Sequence, residues 1–445
     1  MATTRAPQRS GAGSTLIAAL CGALILFDGY DLIIYGNTVP ALLAEPGWGL
    51  TPGGAGRIAS LTLVGMAVGA LVAGTVADRV GRRAVILASL VVFSLSMAVC
   101  ALATGPALFT AARMIGGVGL GAMFPIATAL IVEFAPAGRR ALTYSFAFFG
   151  YLIGGVVAAA LALALLEDTG WRTLYWIGAA PLLLLPVFWR WLPESLAWLT
   201  ARGRTAEAAA TSARYGLPAP AATPTTAPEQ SPSGIRTLFS GPYALSTVLL
   251  WATQFCSLLL VFGMVTWLPT IMTRLEYSLG SALAFVLALN IGAAIGAYGA
   301  ARVADRIGPK SLVVLLFLLG AAAVAALASR PSTAVVFALI AVAGAGTLGT
   351  QILTNVFGAS LYPAASRATG LGWALGVGRL GGIVGPSIGG AILGSTLAPE
   401  WNFYLFAGVG CAGALFACLL PLTPAAKEAR TAAVGGTPAT SPLPH

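Results

Sequence analysis

Charged residues and histidine are scarce in this sequence of 445 residues. Only 9% of the residues are charged, whereas about 25% is usual for a soluble domain. The one histidine, His445, is the final residue, so no histidine is placed to relay protons or bind a metal within an apolar segment. The five cysteines form no CxxC pair and fit small apolar side chains better than disulfides or metal ligands. These absences exclude a soluble domain and leave no basis for a cofactor or a metal site.

Long apolar runs dominate the chain, in which 58% of the residues are hydrophobic. Runs of ~20 residues cross a bilayer as helices, whereas the strands of a membrane barrel alternate over ~10 residues. The sequence therefore predicts an all-α integral membrane protein with twelve transmembrane helices. They are expected at about 15–44, 53–77, 84–103, 105–134, 141–166, 171–191, 242–273, 279–303, 311–328, 332–361, 367–397 and 401–420.

The helices divide into two groups of six around a polar stretch. The expected parts are an N-terminal tail at 1–13, a six-helix bundle at 14–191, a central loop at 192–241, a second six-helix bundle at 242–420 and a C-terminal tail at 421–445. Within the loop, Glu194 to Arg214 favours helix, and Pro218 to Pro232 is typical of a flexible tether. Related sequences, Val76 to Arg83 and Val303 to Lys310, follow the second helix of each half. They indicate pseudo-symmetric bundles with a binding site at their interface.

The basic residues are unevenly distributed about the predicted membrane. With the N-terminus in the cytoplasm, 18 basic residues fall on the cytoplasmic side and only 4, which are Arg57, Arg172, Arg274 and Arg330, fall outside. The positive-inside rule then places both tails and the central loop in the cytoplasm. The net charge of +10 is therefore explained by residues that set the topology and that can contact anionic lipid. This pattern argues against nucleic acid as a partner.

Five charged residues lie inside segments that should cross the membrane, namely Asp28, Asp31, Arg113, Glu133 and Arg379. A charge at the centre of a bilayer costs roughly 2.5–3.5 kcal/mol, so such residues mark substrate, ion or proton pathways.

Asp28 and Asp31 are three residues apart and therefore share one face of the first helix. Burial there favours the protonated carboxyl, so the pair is predicted to bind and release the coupled proton. The alternative is a structural ion pair with Arg113 or Arg379. The two interpretations are compatible, because a proton or the substrate could break such a pair.

Arg113 and Arg379 are predicted to bind the acid group of the substrate, because guanidinium stays charged and grips a carboxylate with two hydrogen bonds. The alternative is that either arginine only neutralises an aspartate. Tyr35, Gln351 and Asn355 are weaker candidates for substrate contacts, since packing between helices explains them equally well.

Several motifs resemble those of the major facilitator superfamily. They are Gly74-x3-Asp78-Arg79-x-Gly81-Arg82-Arg83 after the second helix, its weaker copy after the eighth, Glu133-x2-Pro136-x2-Arg139-Arg140 after the fourth, and Pro193-Glu194-Ser195 after the sixth. Asp28-Gly29-Tyr30-Asp31 and Gly376-x-Gly378-Arg379-x-Gly381-x3-Gly385-Pro386 resemble the aromatic acid:proton symporters within it.

This resemblance implies import of benzoate-like carboxylates with protons. It also implies a cytoplasmic gate that latches the two halves, formed by Asp78, Arg79, Arg82, Arg83, Glu133, Arg139 and Arg140. Glu133 itself is expected at the cytoplasmic end of the fourth helix, beside Arg79, Arg82 or Arg83, and the alternative for it is a solvated helix end.

We therefore expect a monomeric, proton-coupled symporter for a small aromatic carboxylate, working by alternating access in a bacterial cell membrane. A carrier of the same fold for another organic acid, or an exporter of drugs or metabolites, is the nearest alternative. An enzyme is not expected, because the sequence lacks a nucleophile with a credible base.

Overall fold

The computed structural model is all-helical over the residues that it describes, which are 12–135, 140–215, 217, 236, 238–424 and 426. In the N-terminal half the helices are α1 (Ala12–Leu43), α2 (Pro52–Val80), α3 (Arg82–Leu102), α4 (Pro106–Phe134), α5 (Arg140–Thr169), α6 (Trp171–Ala179), α7 (Leu185–Trp191), α8 (Leu196–Ala201) and α9 (Thr205–Tyr215). In the C-terminal half they are α10 (Gly241–Arg274), α11 (Leu279–Ile307), α12 (Pro309–Leu327), α13 (Thr333–Gly344), α14 (Thr350–Ser360), α15 (Ala364–Leu393) and α16 (Trp401–Leu419).

Within the described part of the chain, 12 helical segments are long and apolar enough to cross a membrane, which confirms the predicted number and order. Two spans are composite. A 3₁₀ turn at Ala180–Leu184 joins α6 to α7, and a π turn at Ala345–Gly349 joins α13 to α14. Pro181 and Pro186 are the second residues of the 3₁₀ turn and of α7, where proline is tolerated because its missing N–H is not needed to continue the ladder of the preceding helix.

The described residues form two compact units. The first comprises those of Met1–Ala227 and Leu268–Leu287, and the second those of Pro228–Trp267 and Ala288–His445. The predicted helix-forming stretch after the sixth span folds as α8 and α9. The predicted tether, Pro218 to Pro232, lies outside the described residues.

Close packing of backbones holds the helices of the first unit together. The main neighbours are α1 with α5 and α2 with α4. A Cβ atom at Gly65 would overlap the carbonyl oxygen of Met114, and one at Gly117 would overlap that of Thr62. Small residues are therefore required where α2 crosses α4, as is usual where helices pack within a bilayer.

Glycines also allow close packing of helices in the second unit. A Cβ atom at Gly344 would overlap the carbonyl oxygen of Leu289, and one at Gly381 would overlap that of Phe255. The glycines of α13 and α15 therefore serve close approach to α11 and α10.

Candidate functional site

A buried ion pair joins α1 to α4 in the first unit. Arg113 Nη1 donates a hydrogen bond to Asp31 Oδ1. Asp31 is 0% exposed and Arg113 is 4% exposed, so each charge depends on the other for compensation. The sequence allowed two roles for Arg113, which were binding of the substrate and an ion pair with an aspartate. The structure shows the ion pair, with Asp31 as the partner.

The pair is not fully satisfied by hydrogen bonds. Asp31 Oδ2 and Arg113 Nε are buried, and neither has a hydrogen-bond partner among the described residues. A buried polar atom without a partner costs about 1–3 kcal/mol, so these atoms provide an acceptor and a donor in an apolar setting.

Tyr35 lies directly against this pair. Its ring centroid is 5.3 Å from the Arg113 guanidinium carbon, which is within cation–π range. Its hydroxyl donates to the carbonyl oxygen of Ala55 at 2.6 Å, and the side chain is 2% exposed. Tyr35 therefore positions Arg113 from the protein interior.

An aromatic cluster continues from Tyr35 towards α6. The Phe109 ring lies 5.2 Å from Tyr175 and 5.8 Å from Trp171, both edge-to-face. The hydroxyls of Tyr175 and Thr38 are 3.1 Å apart and hydrogen-bonded. This buried aromatic cluster thus adjoins the Asp31–Arg113 pair on the side of Tyr35.

Asp28 precedes Asp31 by one turn of α1 and has different surroundings. It is 3% exposed and interacts electrostatically with Tyr151 of α5. Helix α5 comes this close because Gly29 has no side chain, and a Cβ there would overlap the carbonyl oxygen of Tyr151. The predicted pair of carboxyl groups thus consists of one beside a guanidinium and one beside a tyrosine.

Arg379 lies on α15 in the second unit and is partly buried. Gln254 Nε2 donates to Asn355 Oδ1 at 2.5 Å and links α10 to α14. A Cβ at Gly378 would lie 3.2 Å from Gln254 Cβ, so α15 packs against this same glutamine. The structure therefore brings Asn355 and Gln254 together close to the segment that carries Arg379. Gln351 is partly buried one turn before Asn355 on α14.

Glu133, at the C-terminal end of α4, is the centre of a second polar cluster. It accepts from Arg82 Nη1 at 2.7 Å, from Ser195 Oγ at 3.0 Å and from the Ala197 backbone N–H at 2.7 Å. Arg82 is one of the three arginines that we predicted as its partners. Within the first unit, Glu133 therefore ties α4 to the α2–α3 turn and to the start of α8.

Glu194 completes this cluster, and sequence reasoning did not assign it a role. Its Oε1 accepts from the backbone N–H groups of Arg82 at 2.8 Å, Arg83 at 3.2 Å and Ser195 at 2.8 Å. A carboxylate here compensates the free N–H groups at the start of α3. Gly81 has φ 99°, and a Cβ there would overlap the Glu194 carboxylate. The signal available in the sequence was Pro193-Glu194-Ser195.

Asp78 and Arg79, which were also predicted in the gate, lie outside this cluster. Asp78 and Arg79 are exposed, and neither side chain forms an ion pair within the described part of the chain. Their backbone carbonyl oxygens instead accept from Arg202 Nη2, at 3.2 Å for Asp78 and 2.7 Å for Arg79. Arg139 and the side chain of Arg140 lie outside the described residues.

A third polar group, which the sequence analysis also missed, lies just beyond the C-terminal end of α1. Glu45 accepts from Trp171 Nε1 at 2.8 Å and from Arg172 Nη1 at 2.7 Å. Partial burial raises the pKa of Glu45, but the hydrogen bonds and the charge of Arg172 together lower that pKa below its usual value. This pair is more solvated than Asp31–Arg113, since the Arg172 side chain is 43% exposed.

Comparison with known proteins extends these observations. A sequence profile described as Major Facilitator Superfamily matches residues 21–386 and 286–443. The benzoate transport protein of Acinetobacter baylyi is 35% identical over 399 residues, which cover 87% of this chain and 85% of that protein. The gentisate transporter of Corynebacterium glutamicum is 36% identical over 409 residues, covering 91% of this chain and 87% of that protein.

Among solved structures, the xylose transporter XylE from Escherichia coli, in a partially occluded inward-open conformation, superposes with a TM-score of 0.73. The alignment covers 92% of this chain and 98% of XylE at 18% identity. At this identity the likeness concerns the fold alone.

Proposed function

Because the chain belongs to the major facilitator superfamily, we propose that it imports a small aromatic carboxylate across the cell membrane together with protons. Membership makes the chain a multi-pass membrane transporter rather than an enzyme. The relatives named above carry benzoate and gentisate, which share an aromatic ring and a carboxylate. The observation that carries the coupling proposal is the pair of buried carboxyl groups, Asp28 and Asp31, on one face of α1.

Coupling to protons is what allows such a carrier to concentrate an acid. Bringing one anion inward against 100 mV costs about 2.3 kcal/mol. One co-transported proton cancels that charge, and each pH unit across the membrane then supports roughly tenfold accumulation. A carboxyl group that binds the proton on one side and releases it on the other provides this link.

We assign the roles as follows. Asp28 and Asp31 carry the proton, and Arg379 binds the carboxylate of the substrate. Gln351 and Asn355 supply hydrogen bonds near Arg379. Arg113, held by Tyr35, compensates Asp31 and becomes available to an anionic ligand when Asp31 is protonated. The chain acts as a monomer by alternating access, with both termini and the central loop in the cytoplasm, as the 18-to-4 distribution of basic residues indicates.

The test is uptake of labelled benzoate, 4-hydroxybenzoate and gentisate into proteoliposomes, with and without an inward proton gradient. We expect saturable accumulation of at least one acid that rises roughly tenfold per pH unit. Protein-free liposomes are the essential control, because aromatic acids also cross lipid in their neutral form. Benzamide, which has the ring but no carboxylate, should compete poorly. Uptake that ignores the gradient, or equal competition by benzamide, would contradict the proposal.

We further propose that the Glu133–Glu194 cluster belongs to the cytoplasmic gate, together with Asp78, Arg79, Arg82, Arg83, Arg139 and Arg140. Glu133→Gln removes the charge that holds Arg82, and charge-assisted hydrogen bonds are roughly twice as strong as neutral ones. The maximal transport rate should therefore fall several-fold while substrate affinity stays measurable. Glu167→Gln, which neutralises an exposed carboxylate of α5, is the matched control and should transport normally. Equal rates in the two variants would remove Glu133 from the gate.

A further inference from the structure

A basic cavity lies beside α7, α8 and α9 in the first unit, apart from the buried ion pair. Its volume is about 300 Å³. The charged residues that line it are Arg83, Arg190, Glu194, Arg204, Glu207 and Arg214. Four guanidinium groups and two carboxylates thus line one partly open cavity.

Both carboxylates are already engaged. Glu207 receives two hydrogen bonds from Arg204, at 2.7 Å and 2.6 Å. Glu194 is occupied by the backbone N–H groups at the start of α3. Among the described residues, the remaining three arginines, Arg83, Arg190 and Arg214, form no ion pair. The cavity therefore presents uncompensated positive charge.

All three arginines line the cavity, as does Tyr215. Burial raises the pKa of Tyr215, whereas the charges of Arg214, Arg83 and Arg190 act on the same hydroxyl in the opposite direction. The Tyr215 hydroxyl itself donates to the carbonyl oxygen of Trp191 at 3.0 Å. Arg83 is fixed by a hydrogen bond from Nη2 to the carbonyl oxygen of Trp189, and its Nε is buried with no partner in the described part of the chain. An anion in the cavity would thus meet one guanidinium, that of Arg83, which is already held in place and has a free donor.

Exposed apolar side chains continue from the rim of this cavity along the sixth span. Leu183 is 82% exposed and Trp189 is 65% exposed, and Leu184, Val187 and Trp191 are also exposed. Tryptophan is enriched where a membrane protein passes from hydrocarbon to headgroups. The surface therefore combines an anion site with a lipid-facing strip that runs along the 3₁₀ turn and α7.

We propose that this cavity binds the headgroup phosphate of an anionic phospholipid, through Arg83, Arg190 and Arg214, with the acyl chains along Leu183 and Trp189. Basic pockets beside membrane-spanning helices are suited to such headgroups. In the orientation proposed above, the lipid comes from the inner leaflet. Its headgroup would join α7 and α9 to the α2–α3 turn, next to Glu194, and would stabilise that arrangement. A free phosphate would use the arginines but not the apolar strip, which is why we assign a lipid.

The test is native mass spectrometry of the purified full-length chain titrated with phosphatidylglycerol or phosphatidylcholine of identical acyl chains. We expect retained adducts of phosphatidylglycerol that Arg190→Gln/Arg214→Gln weakens roughly 25-fold, since each basic residue at a membrane surface contributes about fivefold in affinity. Arg57→Gln/Arg274→Gln removes the same charge from exposed arginines elsewhere and should leave binding unchanged.

A second measurement guards against a folding defect. The melting temperature of the wild type should be higher in phosphatidylglycerol nanodiscs than in phosphatidylcholine nanodiscs, and Arg190→Gln/Arg214→Gln should lose that difference while matching the wild type in phosphatidylcholine. If the double variant is unstable in phosphatidylcholine, the single variants Arg190→Gln and Arg214→Gln are measured in its place. The proposal is overturned by equal binding of the two lipids, by equal loss in both double variants, or by full displacement of phosphatidylglycerol by equimolar inorganic phosphate.

Discussion

Arg113→Met is expected to destabilise the first unit by about 3–5 kcal/mol, because it leaves the buried Asp31 carboxylate without a compensating charge. Methionine keeps an unbranched apolar side chain of similar length, so the loss should report on charge more than on a cavity. Asp31 also loses the hydrogen bond from Arg113 Nη1. The measurement is the apparent melting temperature of the purified chain, followed by intrinsic tryptophan fluorescence in one detergent.

Two comparison variants make this result specific. Arg172→Met breaks an ion pair with Glu45 whose arginine is 43% exposed, and a solvated pair of this kind should cost only about 0–1 kcal/mol. Asp31→Asn/Arg113→Met removes both buried charges and should be more stable than Arg113→Met alone. If Arg113→Met and Arg172→Met melt at the same temperature, the buried Asp31–Arg113 pair is not what stabilises this region. The same conclusion follows if the double variant loses as much stability as Asp31→Asn and Arg113→Met lose together when each is made alone.

The membrane spans could be predicted because bilayer thickness fixes the length of an apolar helix. Their internal breaks were only partly foreseeable. Pro181 and Pro186 mark the interruption of the sixth span, since proline cannot continue the hydrogen-bond ladder. The π turn at Ala345–Gly349 carries no proline, and its position depends on how the helix packs against its neighbours.

The charged residues of the candidate site were found from the cost of placing them in a bilayer, but their pairing was not. Asp28 and Asp31 share a face of α1, so sequence spacing alone does not tell which of them pairs with Arg113. The choice of Asp31 depends on the approach of α4, and the different environment of Asp28 depends on Gly29 admitting α5. Such contacts join residues that are far apart in the chain, and without an alignment no spacing rule reaches them.

The cluster around Glu133 was also predicted only in part from the sequence. Glu133 was expected beside one of three arginines and pairs with Arg82. Glu194 lies in the Pro193-Glu194-Ser195 motif, but its role beside Glu133 was not assigned, because the partners of Glu194 are backbone N–H groups that any sequence possesses. Asp78 was predicted in the cluster from its motif, yet its side chain is exposed.

Asp28→Asn is expected to abolish accumulation driven by a proton gradient while preserving exchange of external for internal substrate. Asparagine is close in shape to a protonated aspartate and cannot release a proton. Net uptake requires that release on the inner side, whereas exchange returns the carrier with substrate and proton still bound. The measurement pairs proteoliposome accumulation with counterflow for each variant. Asp168→Asn, an exposed substitution at the end of α5, is the matched control and should perform both reactions.

Asp31→Asn gives a less direct answer, because it leaves the buried Arg113 guanidinium without its carboxylate and should lower stability as well as coupling. The informative comparison is therefore between Asp28→Asn and Asp31→Asn/Arg113→Met, in which neither variant carries an isolated buried charge at this pair. If Asp28 is the proton carrier, Asp28→Asn alone should convert the chain into an exchanger, and the double variant should keep some gradient-driven accumulation. The reverse pattern would transfer the role to Asp31. If both variants concentrate substrate as well as the wild type does, neither carboxyl group couples transport to protons.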